Sequence, residues 1–166
     1  MLGDYFSHTV TLVIEHNRGG AFELVINKTL DLDLVELFGN KIVPCPTNIT
    51  VLESGPVGQN RLFFLNTKET MFESSININE QLALTTSLDI LNAIAEQKGP
   101  GNILAGLGYA GWSRSQLESE IQADVWLVVP YRDDIVFNVP FDKRLGVAAN
   151  SIGVDLNLIS STPRHG

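Results

Sequence analysis

The chain has 166 residues, of which 44% are hydrophobic and 18% charged, proportions that suit one globular domain over residues 1–166 and exclude a disordered or fibrous chain. Nineteen acidic residues against eleven basic ones leave a formal charge of -8, with Lys143-Arg144 the one adjacent basic pair, so direct nucleic-acid binding and docking on anionic lipid are both disfavoured. The lone cysteine, Cys45, excludes an internal disulfide and a Cys-x-x-Cys pair, and no apolar run is long enough to span a bilayer, so the expected compartment is the cytoplasm, with no membrane partner.

Thr9 to Glu15 and Ala21 to Asn27 are β-branched and aromatic runs joined by the turn residues His16 to Gly20, which predicts a hairpin. Asp31 to Phe38 has acids in its first turn and Gly39-Asn40 behind it, the pattern of a short helix. Pro44-Cys45-Pro46 must be a loop. Ile49 to Ser54 and Arg61 to Leu65 read as strands around the turn Gly55 to Gly58, and so predict a second hairpin. Met71 to Ile78 and Leu82 to Thr85 are further strand candidates, and Thr86 to Lys98 is a helix with Leu88, Leu91, Ile94 and Ala95 on one face, capped by Thr86 or Ser87. Asn102 to Tyr109 is an apolar strand of small residues, followed by a helix over Ser113 to Gln122 with Ser113-x-x-Gln116 as a capping box. Val125 to Val129 reads as a buried strand closed by Pro130, Ile135 to Phe137 as a short strand, and Phe141 to Ile152 as a last helix with Leu145, Ala148, Ala149 and Ile152 on its inner face. Hairpins first and strand-helix units later predict an α+β fold, a mixed sheet covered by helices.

The stretch richest in chemistry is Gly106 to Trp112, where three glycines, Tyr109 and Trp112 sit at a strand-to-helix turn. Glycine lets a ligand approach backbone, and amphipathic aromatics offer a stacking surface. Gly106-x-Gly108-x-x-Gly111 formally matches a dinucleotide fingerprint with Asp133 downstream, but it comes late, after hairpins, where the fingerprint belongs in a first strand-helix turn. Tight strand-helix packing is the favoured reading. Gly111-Trp-Ser-Arg-Ser115 is one glycine short of a nucleophile elbow, and of His8, His16 and His165 only the last, in the tail, follows Ser113, so Ser113 reads as a cap before a nucleophile. His16 ends the first strand and is a candidate base, although a turn histidine bonded to backbone is commoner. No His-x-His or His-Glu-x-x-His motif is present, Asp133-Asp134 reads as a solvated pair, and nothing beside Cys45 activates it; no metal or cofactor is expected. Trp126 reads as core, and Trp112 as either a pocket wall or a cap on the core.

Glu15-His16-Asn17 with Leu24 to Asn27, Gly55-Pro56-Val57, Leu84 to Ser87 with Asp89, and above all Leu107 to Trp112 followed by Gln116-Leu117-Glu118 make the sequence resemble the AlgH/YqgE family of bacterial proteins over essentially its whole length. The resemblance implies a bent mixed, mostly antiparallel sheet forming a partial barrel flanked by helices. It transfers no reaction: the family is largely uncharacterised, and many members carry a transcriptional-regulator label. The expectation is a non-enzymatic binding or regulatory protein that engages another protein or a small ligand at a face built from His16, Asn17, Asn27, Gly55, Pro56, Val57, Gly108, Tyr109, Gly111 and Trp112. The alternative is a small hydrolase-like enzyme at the Gly108 to Trp112 turn. Relatives also carry an apolar strand ahead of the segment matching Asp4 to Val10, and Ser54 and Ser113 stand where they have glycine. The chain is therefore expected to lack the first family strand and to expose a sheet edge able to pair with a second chain.

Overall fold

The computed structural model describes residues 5–38 and 49–156. Gly39-Asn40, Cys45 with its flanking prolines, and His165 lie outside the described residues. Among the described residues, eight strands and five α-helices form an α+β fold in which a curled, mainly antiparallel sheet makes a half-barrel.

The sheet is built on the strand that contains the glycine-aromatic stretch. β1 (Thr11–Asn17) and β2 (Gly20–Val25) form the predicted hairpin. β3 (Thr29–Asp33) precedes α1 (Leu34–Phe38), so the expected helix gives up its first three residues to a strand. The Asp33 carboxylate accepts the Glu36 amide at 2.8 Å and starts the helix there. β4 (Thr50–Glu53) and β5 (Val57–Thr67) are strands as expected but do not pair with each other, which corrects the second hairpin. Both instead flank β8 (Ile103–Trp112): β5 runs antiparallel along one edge, and β4 runs parallel along the first half of the other, Val51 opposite Ala105. The second half of that same edge belongs to β2, with Ala21 opposite Trp112.

One strand edge shared by two partners requires a bend, and small residues supply it. Gly108 has φ of +86°, and a Cβ there would lie 2.2 Å from the Gly55 carbonyl oxygen. A Cβ on Gly55 would lie 1.9 Å from the Tyr109 carbonyl carbon. The end of β4 thus crosses the β8 backbone at a separation only glycine allows. Ser54 fastens the crossing by donating its hydroxyl to the Gly108 carbonyl at 2.6 Å.

β7 (Leu82–Thr85) continues the sheet from β5, and β6 (Ser75–Asn77) lies outside it, shorter than the predicted Met71 to Ile78 strand. α2 (Asp89–Ala95) is shorter than its sequence pattern and is turned by a residue: Ile90, Leu91 and Ile94 are buried, whereas Leu88 is 59% exposed. Neither Thr86 nor Ser87 caps it; the Ser87 hydroxyl and the Glu73 amide both bond the Asp89 carboxylate. These helical residues pack with Leu34, Val51, Phe64 and Ala105 in one core cluster, and burying a side chain such as Phe64 stabilises the fold by about 2–3 kcal/mol.

α3 (Gln116–Gln122) buries Leu117 and half-buries Ile121, the predicted edge. Val125 to Val129 is not a strand. Val125, Leu127 and Val128 are more than half exposed and Trp126 is half-buried, which corrects both the buried-strand reading and the assignment of Trp126 to the core. Ile135 to Phe137 belongs to a helix, α4 (Asp133–Phe137), because two acids in its first turn favour that end of a helix dipole. The last predicted helix forms as a 3-10 turn, Phe141–Lys143, leading into α5 (Arg144–Ser151).

Candidate functional site

Hydrophobic alternation along β1, β2 and β8 sorts the candidate residues onto two faces of the sheet. His16 pairs with Ala21, and Ala21 with Trp112, so His16 and Trp112 lie two strands apart, about 10 Å. Both meet α3: the His16 imidazole contacts the Glu118 carboxylate, and the Trp112 indole N–H donates to Glu120 at 3.0 Å. Tyr109 and Gly111 belong to the opposite face, where Tyr109 stacks on Phe22 with ring centroids 4.8 Å apart.

The remaining candidates occupy other positions. Asn17 shapes the β1–β2 turn through the Gly19 amide, 2.8 Å from its Oδ1. Asn27 is at the far end of β2, where it accepts the Val10 amide at 2.8 Å and donates to the His8 carbonyl at 2.9 Å. Gly55 and Gly108 form the backbone crossing described above, Pro56 is half-buried, and Val57 is an exposed residue opposite Tyr109. The structure therefore brings His16 and Trp112 together against one helix and leaves Asn27 and Gly55 to Val57 apart from them.

Trp112 is 6% exposed, packed against Phe6 and Trp126. It caps the core. One carboxylate organises the aromatic group: Glu120 Oε1 accepts the indole N–H groups of both Trp112 and Trp126, and Oε2 accepts from Gln116. Burial pushes the Glu120 carboxyl up, but the three donors together outweigh it and hold it below the usual carboxylate range. Glu118 is also held low, chiefly by its hydrogen bond with His16.

Two groups in this region escaped the sequence reading. Glu23, on β2 between Phe22 and Leu24, is 3% exposed, accepts the Thr11 hydroxyl at 2.8 Å on Oε1, and has no partner among the described residues for the buried Oε2. Burial drives its carboxyl above the ordinary range, against the Thr11 bond and the nearby His16. A single acid inside an apolar strand was the available signal. The second is the ring of apolar residues around it: a cavity of about 380 Å³ has Glu23, Leu117, Ile121 and Trp126 in its wall. A neighbouring cavity of about 280 Å³ is walled by Phe6, Val10, Ile135 and the α5 face Leu145, Ala148 and Ala149.

Ser113 receives the Gln116 side chain on its amide at 3.0 Å, one half of the predicted capping box, and its hydroxyl also donates to Gln116. The helix itself begins beyond Ser115, at φ of 64°. Among the described histidines, His16 meets Glu118 and His8 meets Ser7, so neither is bonded to Ser113. Asp134 pairs with Arg132 at 2.6 Å at the start of α4. Among the described residues no three His, Cys, Asp or Glu side chains are grouped to hold a metal ion, and no helix is long and apolar enough to cross a membrane.

Comparison with known proteins gives a consistent result. A family model described as AlgH-like matches residues 1–157. A UPF0301 protein of Pseudomonas entomophila is 41% identical over 165 residues, 96% of this chain and 87% of the relative. One of Thioalkalivibrio sulfidiphilus is 41% identical over 163 residues, 96% and 88% of the two chains. The solution structure of the AlgH protein of Pseudomonas aeruginosa superposes with a TM-score of 0.77 at 36% identity, covering 100% of this chain and 90% of that one. A crystal structure from Corynebacterium diphtheriae shares the fold, with a TM-score of 0.64 at 19% identity over 93% of this chain and 78% of that one.

Proposed function

The chain belongs to the AlgH-like family, and from that premise we propose that it is a binding or regulatory protein that engages a protein or a small ligand, acting without catalysis and without direct contact to DNA. The observation that carries this reading is the unpartnered Oε2 of buried Glu23 in the wall of the 380 Å³ cavity. Binding sites combine an apolar concavity with a few fixed polar groups. A buried acceptor without a donor costs about 1–3 kcal/mol, which a ligand's N–H or O–H would recover on binding. His16 with Glu118 lies on the same sheet face beside α3 and extends the polar side of the site. The charge of -8 favours donors and cations over phosphates as ligand groups.

A second reading, a small hydrolase-like enzyme, is favoured by one observation, the contact of the His16 imidazole with Glu118, since a carboxylate-oriented imidazole is a general-base arrangement. A thermal-melting screen of the wild type, Glu23→Gln and His16→Ala against metabolites, amines and short peptides separates the two. A midpoint rise that Glu23→Gln abolishes supports the binding reading. Ester or amide turnover that disappears in His16→Ala would replace it with the enzyme.

A further inference from the structure

The two cavities are parts of one groove. Thr11, Leu12, Trp126, Leu127, Val129 and Tyr131 stand in the walls of both, so the groove follows the outer side of β1 and is closed opposite by the Trp126–Tyr131 stretch. Among the described residues, both walls present unused backbone, and β1 pairs only with β2. Ile26 donates to the Val10 carbonyl, whereas Val25 donates away from β1, to Ser54. Antiparallel alternation then points the N–H and C=O of Leu12 toward β2 and those of Thr11 and Val13 outward. Across the groove, among the described residues, no backbone N–H from Trp126 to Tyr131 has a protein partner. That stretch has the composition of a strand, Trp-Leu-Val-Val, and Val13, Val125, Leu127 and Val128 expose about half of their surface or more.

We propose that this groove accepts one extended apolar strand of a second polypeptide, seated between β1 and the Trp126–Tyr131 stretch, with a hydrogen-bond-donating side chain opposite Glu23. The inference rests on the binding reading above and names the ligand class for the same site. Three features select a strand. Backbone donors and acceptors along the edge call for a main-chain partner, which a compact small molecule does not supply along its length. The walls are apolar on both sides, from Leu12 and Ile26 to Leu127 and Val129, so alternate side chains of an inserted strand would be buried in either direction. Glu23 Oε2, buried in the groove wall without a partner among the described residues, asks for a donor at one position. An edge strand left open in this way is also prone to indiscriminate pairing, which an occupant would prevent.

The test uses the whole chain and fluorescein-labelled seven-residue peptides of alternating valine and threonine, with one lysine moved through the seven positions. Binding is read by anisotropy, and the occupied edge by amide exchange in NMR. Saturable one-to-one binding is expected, with slowed exchange at the Thr11 and Val13 amides. Val13→Pro removes an outward amide while sparing the bonds to β2, and Leu127→Asp places a charge on an exposed wall residue; each is expected to weaken binding at least tenfold in a protein that still melts cooperatively. Glu23→Gln is expected to cost the best lysine peptide about tenfold and the lysine-free peptide nothing. Absence of peptide binding overturns the inference. So does protection of Thr11 and Val13 that grows with protein concentration alone, which would assign the groove to a second copy. Glu23-dependent binding of a small molecule without protection at β1 would sink the strand while leaving the binding reading intact.

Discussion

Glu23 shows how one side chain ties stability to pH. Its carboxyl is raised above the ordinary range by burial, so the folded protein holds the proton more tightly than the unfolded chain does. The resulting contribution is complete below the unfolded pKa and is lost as pH rises through the folded one. Glu23→Gln, which stays neutral and can still accept from Thr11, is therefore expected to raise Tm at pH 7 and to match the wild type near pH 4; thermal melts at the two values decide it. Glycines show the opposite dependence on place. Gly108→Ala would put a Cβ 2.2 Å from the Gly55 carbonyl oxygen at φ of +86° and is expected to cost about 3 kcal/mol or more in urea unfolding. At Gly146, inside α5, an added Cβ meets nothing within 4 Å, and Gly146→Ala is expected to stabilise by about 1 kcal/mol.

At the scale of elements, α3 is held to the sheet by an apolar edge and one carboxylate. Leu117 supplies burial, and Glu120 gathers the indole N–H groups of Trp112 and Trp126. Glu120→Ala leaves both donors without their acceptor and is expected to destabilise by about 2 kcal/mol, with a change in tryptophan emission that shows the aromatic cluster has loosened. β8 is the other organising element. Its glycines were conspicuous in the sequence as a place for a ligand, whereas their geometry serves a bend at which β4 hands the strand edge over to β2. The Ser113–Gln116 contact was legible because the two residues act within one turn, but the helix start was not, since its N-cap is Ser115. The partners of β4 and β5 were not, because a short glycine-containing connection fits a hairpin as well as it fits two strands flanking a third.

The whole molecule carries a formal charge of -8, which under the proposed mode of action disfavours an encounter with the phosphates of nucleic acid. No binding to a labelled 20-base-pair duplex is expected at 100 mM salt, as read by anisotropy; tight, steeply salt-dependent binding would contradict the proposed mode of action. The concave apolar surface lies instead along β1 and the Trp126–Tyr131 stretch, where the largest error of the sequence reading also falls. Val125 to Val129 carries the apolar, β-branched pattern of a buried strand, yet among the described residues it pairs with no strand, and Val125, Leu127 and Val128 are exposed. Composition reports what a segment is suited to bury, whereas the partner that buries it is set elsewhere.

The sequence by itself determined the α+β class, the β1–β2 hairpin, α3, the final helix and the family, because alternation, helical periodicity and capping act over a few residues and specific strings survive in any fold. Only the tertiary structure decided which strands flank β8, which candidates share a face, and that Glu23 is buried with an oxygen left without a partner among the described residues. Those outcomes depend on contacts between residues far apart in the chain, such as Gly55 with Tyr109 and His16 with Glu118. Local patterning leaves such pairings open, and packing around one bent strand selects among them.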